Sequence, residues 1–582
     1  MSRRSGHRPL RGRILSWLFL SPLLLLASSL PFELRAPMWQ IGPFSITNVE
    51  LLLALTLAAA AVRLLLSPGG WVLPDRYWLW LLLFAGGLLL STLLAPQLRM
   101  NALKASLRLI VGILLALAVP QIARRPGDSR ILGGALVSAG LIAAAIGWWE
   151  IGHSELGWAS LFRTQLTRAG AFLRLTGTFG YANQAAMYIE ATLPFLLAAA
   201  WSARQGDLPR RAKYPLLALL FLLILFYAQA SILTLSRASI ATIMLACLLL
   251  ALWLAVRQPA RRRKMAAWWL CLAVIAAALA AGNALVGSQF RLRLLGGNVD
   301  EWYRARIVAP PALEVASGAT LELAVAVTNE GPLIWRSEGE QPIRLGARWI
   351  NEAGQQLSGQ IRWPFASPVH PQETVQMIVP LTAPALPGKY ELYWDVVQEH
   401  VLWFGGQSGL FATSLVTVVP SEMAQRQDPG ALEIDTQPAW DYAGAIPNRT
   451  TLWGIGLRMV RERPLLGIGM DNYRLTYGEW LGRASYDQTV HTNNLYLEML
   501  VSLGLVGAVP FFLWLGGLLI DLARTLRHPD RSMWQVSIAA GLLAFGIHGL
   551  LDFFLLFNAT GLLFWLLVGL WIGEKRRYAH RI

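Results

Sequence analysis

The sequence predicts an α-helical polytopic membrane protein of about twelve spans with one inserted all-β sandwich domain. Three observations predict it: apolar segments of membrane length recur along the 582 residues, clusters of Lys and Arg fall between alternate segments, and one long stretch lacks such segments. Composition agrees, with 55% hydrophobic residues and a mean hydropathy of +0.46.

A hydrocarbon core about 30 Å thick takes roughly 20 mostly apolar residues to cross as a helix. Such stretches lie near 14–31, 46–66, 77–95, 103–122, 131–152, 184–201, 214–233, 237–256 and 265–286, and again near 495–520, 533–556 and 558–573. The last two are close enough to form a tight hairpin. Cytoplasmic loops carry the excess of Lys and Arg. If the tail with Arg3, Arg4, Arg8, Arg11 and Arg13 is inside, so are Arg124-Arg125, Arg210-Arg211, Arg261 to Lys264 and Lys575 to Arg577. The opposite loops keep scattered cations, chiefly Arg35, Arg99, Arg163, Arg168, Arg174 and Arg237. This predicts a multi-pass protein of the cytoplasmic (inner) membrane with both termini cytoplasmic and the large loop 287–494 extracytoplasmic. The first stretch also reads as a cleaved signal peptide ending at Ala27-Ser28-Ser29, which leaves later spans oriented as before. The formal charge of +16 is dispersed through short loops, so it suits topogenic charge facing a lipid bilayer and not a nucleic-acid patch. Cys247 and Cys271 both fall in predicted spans, which leaves no disulfide framework or thiolate metal site.

The chain therefore divides into a membrane domain over 1–286, an extracytoplasmic β-sandwich over 303–420, a helix and loop segment over 421–494 and a second membrane portion over 495–573. Strands are predicted at Leu321 to Val327, Val375 to Val379, Tyr390 to Trp394 and Leu415 to Val419, separated by turn signals such as Asn329-Glu330-Gly331-Pro332 and Pro387-Gly388. Trp302, Trp335, Trp349, Trp363, Trp394 and Trp403 read either as core packing or as a sugar-stacking platform, with packing the commoner use of Trp in a small sandwich. Thr450 to Arg463 reads as a surface helix stopped by Pro464.

Four outward features carry chemistry: Arg174 to Asn183, which is Gly-rich; Ser236-Arg237; Asn448-Arg449; and His491 to Glu498. Arg grips phosphate with paired hydrogen bonds, so converging arginines suit a diphosphate. A neighbouring His suits proton transfer near neutral pH. Each has a plainer use, as a snorkelling Arg, a solvated first-turn residue or a loop His. Asp552, four residues after His548 and near the outer end of the eleventh stretch, is a carboxylate at membrane depth, as are Glu190 and Glu498. Asp552 reads equally as an Arg partner or an acceptor-binding group. No acidic cluster with metal spacing is present on that side.

Gly177-Thr178-Phe179-Gly180-Tyr181-Ala182-Asn183, Leu235-Ser236-Arg237, Leu452-Trp453 followed by Pro464-Leu465-Leu466-Gly467-Ile468-Gly469, and His491 to Asn494 followed by Gly504-Leu505-Val506-Gly507 together resemble the O-antigen ligase and O-antigen polymerase superfamily. Residues 303–420, with Trp335, Ala383-Pro384, Pro387 to Tyr390 and Trp394, resemble immunoglobulin-like modules of the next-to-BRCA1 type. The first resemblance implies a membrane glycosyltransferase of C-type fold. Such an enzyme moves a polyprenyl-diphosphate-linked glycan onto a glycolipid or other surface acceptor, without a metal or other cofactor. It implies Arg237, Arg449 and Arg174 as donor diphosphate-binding residues and His491 as the catalytic base. Asn493, Asn494 and Asp552 are further candidates for orienting the acceptor. Family members commonly place the His directly before the Asn that precedes the span, where this chain has Asn493. Either the loop returns His491 to that point, or Asn493 orients the acceptor and His491 serves otherwise. A polysaccharide polymerase or a protein O-oligosaccharyltransferase would use the same arginines. A transporter or flippase would show internal repeats and mid-membrane charge, and a sensor would place its function in the sandwich.

Overall fold

The computed structural model describes residues 10–579 except 43, 67–71, 73–74, 126, 256–259, 287, 296–298, 340, 358, 360, 421–446, 484–485 and 528–530. Arg3, Arg4 and Arg8 of the basic tail, and the first part of the 421–494 segment, lie outside the described residues. Helix α1 (Leu10–Ser29) leads through a ribbon, β1 (Trp39–Ile41) and β2 (Phe44–Ile46), to α2 (Asn48–Leu66), α3 (Leu79–Leu93), α4 (Arg99–Ile122) and α5 (Asp128–His153). A second ribbon, β3 (Arg168–Ala169) and β4 (Phe172–Leu173), precedes α6 (Ala182–Gln205), α7 (Arg210–Leu233), α8 (Arg237–Ala255) and α9 (Ala260–Val286). Two short helices, α10 (Ser288–Leu295) and α11 (Val299–Trp302), then lead out of the bundle.

Two sheets follow. Strands β5 (Ala305–Val308), β6 (Ala312–Ala316), β7 (Thr320–Asn329), β8 (Ile343–Asn351), β9 (Ile361–Pro364), β10 (Thr374–Thr382), β11 (Gly388–Gln398), β12 (Leu402–Trp403) and, after α12 (Phe404–Ser408), β13 (Ala412–Val419) form them. One sheet has the order β10-β7-β5 and the other β6-β13-β11-β8-β9, with β12 beside β11. Pairing is antiparallel except where β6 runs parallel to β13. The four segments expected as strands fall in β7, β10, β11 and β13. Their inward rows, such as Leu323, Val325 and Val327, meet Leu345, Leu392 and Val416 in one apolar core. Trp302, Trp335, Trp349, Trp363 and Trp394 are buried in the domain, and Trp403 lies under the guanidinium groups of Arg348 and Arg362 at 3.9 and 4.7 Å. The rings pack the sandwich and present no open stacking platform.

After the sandwich, α13 (Arg449–Glu462) and α14 (Tyr473–Thr476) precede α15 (Leu495–Leu526), α16 (Met533–His548) and α17 (Asn558–Ala579). Among the described residues nine helices are long and apolar enough to cross a membrane. The apolar part of α1 over Ser16–Ser29 and helix α16 are shorter, and α17 ends in the charged run Glu574 to Arg577. The chain is a multi-pass helical membrane protein carrying a β domain. Helix α6 is buried along most of its length and packs against α5, α7, α8, α16 and α17, which makes it the axis of the bundle. Arg577 donates to the carbonyls of Ala123 and Arg125 at 2.8 and 2.6 Å, so these cationic segments meet at one end.

Two expected spans differ from the reading. The eleventh was expected to run to 556, but α16 stops at His548. The Gly549 carbonyl accepts from Leu495 N at 2.7 Å and the Leu550 carbonyl from Asn494 Nδ2 at 3.0 Å, so these carbonyls serve the start of α15 and do not extend their own helix. Residues 549–557 become a non-helical connector holding Asp552. The tenth is longer than expected and broken at Gly504, whose φ of 57° and ψ of −164° leave the helical region. There Leu505 N and Val506 N donate to the carbonyls of Pro464 and Leu465, while Ile468 N and Gly469 N donate to those of Val501 and Ser502. A Cβ on Gly504 would lie 2.3 Å from Leu465 C, and one on Gly467 2.5 Å from Ser502 C. The Pro464 to Gly469 phrase and the Gly504 phrase are thus two halves of one backbone contact, possible only without side chains there.

Candidate active site

The polar residues expected outside converge where α6, α8, α13 and α15 begin and α16 ends. Arg174 follows β4, its Nε donating to the Thr234 carbonyl at 2.7 Å and a terminal nitrogen to Asn183 Oδ1 at 2.6 Å. Asn183, in the first turn of α6, donates through Nδ2 to Asp552 Oδ2 at 2.7 Å. Asp552 Oδ1 accepts from Phe553 N at 2.8 Å, so the carboxylate is fixed at both oxygens. Behind this chain the Gly-rich loop is held by a buried Arg163–Glu150 pair, Arg163 donating to the Gly177 carbonyl and Gly177 N to Glu150.

Arg237 opens α8 just after Leu235, a residue held at a φ of 52°. Arg449 opens α13, where the Asn448 side chain caps the helix by accepting from Thr451 N at 2.9 Å. Among the described residues the Arg449 Nε is buried without a hydrogen-bond partner. Burial lowers the Arg449 pKa and so does the charge of Arg237, while Asp552 works the other way. Arg174 is pushed down to about 9 by burial and by Arg293, with Asp552 and Tyr181 opposing. Arg293 of α10 is pushed down to about 10 by burial and by Arg237 and Arg449. Each of these arginines thus feels the charge of another, and Arg174 and Arg449 feel that of Asp552 as well. Among the described residues no carboxylate makes an ion pair with Arg174, Arg293 or Arg449.

His491 sits one aromatic layer away. Its ring lies 5.3 Å from that of Phe553 and 6.0 Å from that of Phe557, and Phe557 in turn meets Tyr181 of the Gly-rich stretch at 5.4 Å. Nδ1 faces Glu498 Oε1 at 3.5 Å, and Glu498 is itself fixed by Thr492 N at 3.0 Å and Thr492 Oγ1 at 2.8 Å. Nε2 faces Asp471 Oδ1 at 3.7 Å, beyond hydrogen-bond reach, and Asp471 is held by two Arg474 nitrogens at 2.8 Å each. Burial pushes the His491 pKa down, but Glu498 and Asp471 outweigh it and raise it overall. A carboxylate on one ring nitrogen, with the other beyond hydrogen-bond reach of its nearest carboxylate, is the arrangement of a base with its orienting group.

Of the two asparagines, Asn494 caps α15 by accepting from Leu497 N at 2.9 Å and also ties Leu550, so its amide has a structural task. Asn493, at a φ of 50°, is half-buried and its side chain bonds to nothing among the described residues. Sequence reasoning missed Arg293 and the role of His548. His548 and Glu190 form a fully buried pair at 3.0 Å, with His548 Nε2 unpartnered among the described residues. No sequence signal pairs these residues, because α6 and α16 meet only in the folded bundle. Among the described residues no group of three or more His, Cys, Asp or Glu side chains is arranged to hold a metal.

With this geometry known, comparison with known proteins becomes specific. Residues 394–512 match the O-antigen ligase family model. The match takes in Arg449, His491, Asn493 and Asn494, and covers well under half of the chain. It supports an O-antigen ligase-like function and the ligase superfamily over that of unrelated membrane proteins. No curated protein matches the chain. Among solved structures, the crystal structure of the CARDB domain of a Pyrococcus furiosus protein, in complex with two metal ions, is similar at 19% identity over 20% of this chain and 92% of that one, with a TM-score of 0.14.

Proposed function

We propose that the protein is an O-antigen ligase-like glycosyltransferase that moves a glycan from a polyprenyl diphosphate to a surface acceptor at the outer face of the cytoplasmic membrane. The observation that carries the reading is the chain from Arg174 through Asn183 to Asp552, with Arg449 within electrostatic reach of both Asp552 and Arg237, beside a His491 that faces Glu498. The acceptor oxygen bonds to the anomeric carbon. The bond from that carbon to the diphosphate oxygen breaks with its electron pair leaving on the phosphate, and the acceptor proton passes to His491 Nε2. Fixed guanidinium groups in a partly dry site stabilise the departing charge, which makes a metal unnecessary. Asn493 orients the acceptor, its amide making no hydrogen bond among the described residues.

The test is transfer by purified protein from a polyprenyl-diphosphate-linked glycan with EDTA present. Transfer that stops with EDTA would overturn metal independence, and transfer surviving loss of both Arg237 and Arg449 would overturn the donor site. Deletion in the native host separates the activities: long lipid-linked chains accumulate if a ligase is lost, single units if a polymerase is lost. Orientation rests on the Lys and Arg asymmetry. An impermeant thiol reagent is expected to label Glu352→Cys in spheroplasts and to spare Asp207→Cys, and the reverse pattern would invert the topology.

A further inference from the structure

The first part of α15 shows where a membrane surface meets α13. Helix α15 has 32 residues, about 48 Å at 1.5 Å per residue, which exceeds a hydrocarbon core of about 30 Å. Its neighbour α3 fixes the part that lies in lipid. The apolar run Arg76–Leu93 follows α15 from Tyr77, which a Cβ on Gly517 would meet at 2.9 Å, to Ser91, whose Oγ donates to the Ser502 carbonyl at 2.8 Å. Ser502 therefore lies at the edge of the hydrocarbon on the side of the active site. At this edge the Leu465 carbonyl accepts from Val506 N at 3.0 Å, and the Leu465 side chain is exposed, as are those of Leu505 and Val506 on the span. Asn472 ties the same loop to the α3–α4 turn by donating to the Gln97 carbonyl at 3.1 Å, and that turn exposes Leu94, Leu98 and Met100. Just before Leu465, at the end of α13, Arg461 and Arg463 are exposed. Neither side chain makes a hydrogen bond or ion pair among the described residues.

We propose that Arg461 and Arg463 bind the phosphate of an anionic phospholipid in the leaflet facing the active site, with its acyl chains against Leu465 and Leu505, and that this contact holds α13, and so Arg449, in its working position. The part played by Arg449 rests on the reading of the site as a lipid-diphosphate site. Cations placed just above exposed leucines repeat the order of a phospholipid, phosphate above acyl chain. Helix α13 can carry the effect because Arg449 is its first residue and Arg463 its C-cap. Its inner face is fixed, Trp453 Nε1 donating to the Thr492 carbonyl at 3.0 Å and Tyr473 Oη to the Leu452 carbonyl at 2.8 Å. The opposite face, with Leu457, Arg458 and Arg461, is exposed. A helix of 14 residues is about 21 Å long, so a tilt at one end moves the other. Displacing a group that positions substrate by about 1 Å costs about 10²-fold in rate. Arg461 and Arg463 are then positioning residues, acting through Arg449.

The full chain is reconstituted in nanodiscs of phosphatidylcholine, with or without phosphatidylglycerol. In a Cys271→Ser background, a spin label on Leu465→Cys is expected to be shielded from a water-soluble relaxation agent and one on Glu462→Cys to be reached by it. A label on Leu465→Cys that water reaches overturns the placement. Native mass spectrometry then compares the two lipids retained by the protein. Each of Arg461→Gln and Arg463→Gln is expected to lower the preference for phosphatidylglycerol about fivefold, the worth of one basic residue at an anionic surface, and the paired Lys variant to keep most of it. Wild-type preference in the paired Gln variant overturns the lipid site. Transfer by the wild type should rise with phosphatidylglycerol and that of the paired Gln variant should stay at the phosphatidylcholine rate, with inorganic phosphate replacing the lipid in neither. A lipid response that survives in the paired Gln variant overturns the link to Arg449. Wild-type protein that retains phosphatidylglycerol but transfers glycan in no lipid overturns the transferase reading and leaves the lipid site standing.

Discussion

The two halves of the site have opposite electrostatics. Around Asp552, among the described residues, stand Arg174, joined through Asn183, and Arg449, whose buried Nε has no hydrogen-bond partner there. Around His491 the carboxylates are in excess, with Glu498 and Asp471 on either side of one imidazole and Arg474 bound to Asp471. The first half suits an anion that arrives from outside the protein, and the second suits a proton that must be taken up and passed on. Phe553 and Phe557 separate them, so each keeps its own charge balance.

The largest effect is expected from the proton side. His491→Ala should lower transfer by about 10² to 10⁴, the usual worth of general-base catalysis, while binding of the lipid diphosphate is kept. Asn493→His in that background should return part of the rate if the half-buried loop brings position 493 to the acceptor. Normal transfer by His491→Ala would move the base elsewhere, with Asp552 the next group to test. On the anion side, Arg237→Lys and Arg449→Lys should each lower transfer by about 10² to 10³, as loss of a fixed donor to developing charge does, because Lys cannot give paired phosphate contacts. Here donor binding should fall too. A variant of either half with the kinetic signature of the other would erase the division.

What the sequence showed of these halves follows from how local each signal is. Arg237 and Arg449 open helices and Arg174 leads the Gly-rich phrase, so motif and charge single them out in the sequence. Arg293 lies in a stretch with no phrase of its own and reaches the site only because Phe290 docks on the α7–α8 turn. The Glu498–His491 pair spans seven residues through a loop whose path no periodicity fixes, and Glu190–His548 spans most of the chain. In the sandwich, β7 alternates and was legible. Strand β8 is buried nearly throughout, which removes the period-two pattern that would have shown it. The end of α16 was misplaced because its stop lies in the hydrogen bonds of another helix.

A smaller effect, read as a shift, tests what orients the base. Glu498 raises the His491 pKa, and a base works only when deprotonated, so wild-type transfer should fall as pH drops through that raised value. Glu498→Gln should move this acid limb to lower pH and lower the plateau by less than His491→Ala does. The same shift enters stability with its own sign. The protonated ring stabilises the fold fully below the ordinary His pKa, and that contribution is lost as pH rises through the raised value. Glu498→Gln should therefore flatten the pH dependence of melting on that side. An unmoved acid limb would detach Glu498 from the base.

The smallest effect on transfer is expected at Asn494, and it separates two neighbouring amides. Asn494 accepts from Leu497 N and donates to the Leu550 carbonyl, joining the start of α15 to the end of α16. Removing a helix cap costs about 0.5 to 2 kcal/mol, so Asn494→Ala should lower the melting temperature while transfer per folded molecule stays close to wild type. Asn493→Ala should do the reverse, because its side chain makes no hydrogen bond among the described residues. Melting and initial rates on the same preparations decide it. If Asn494→Ala melts normally and loses transfer, the cap is dispensable and Asn494 belongs with the acceptor, so the proton side of the site would extend one residue further into the membrane helix than its hydrogen bonds indicate.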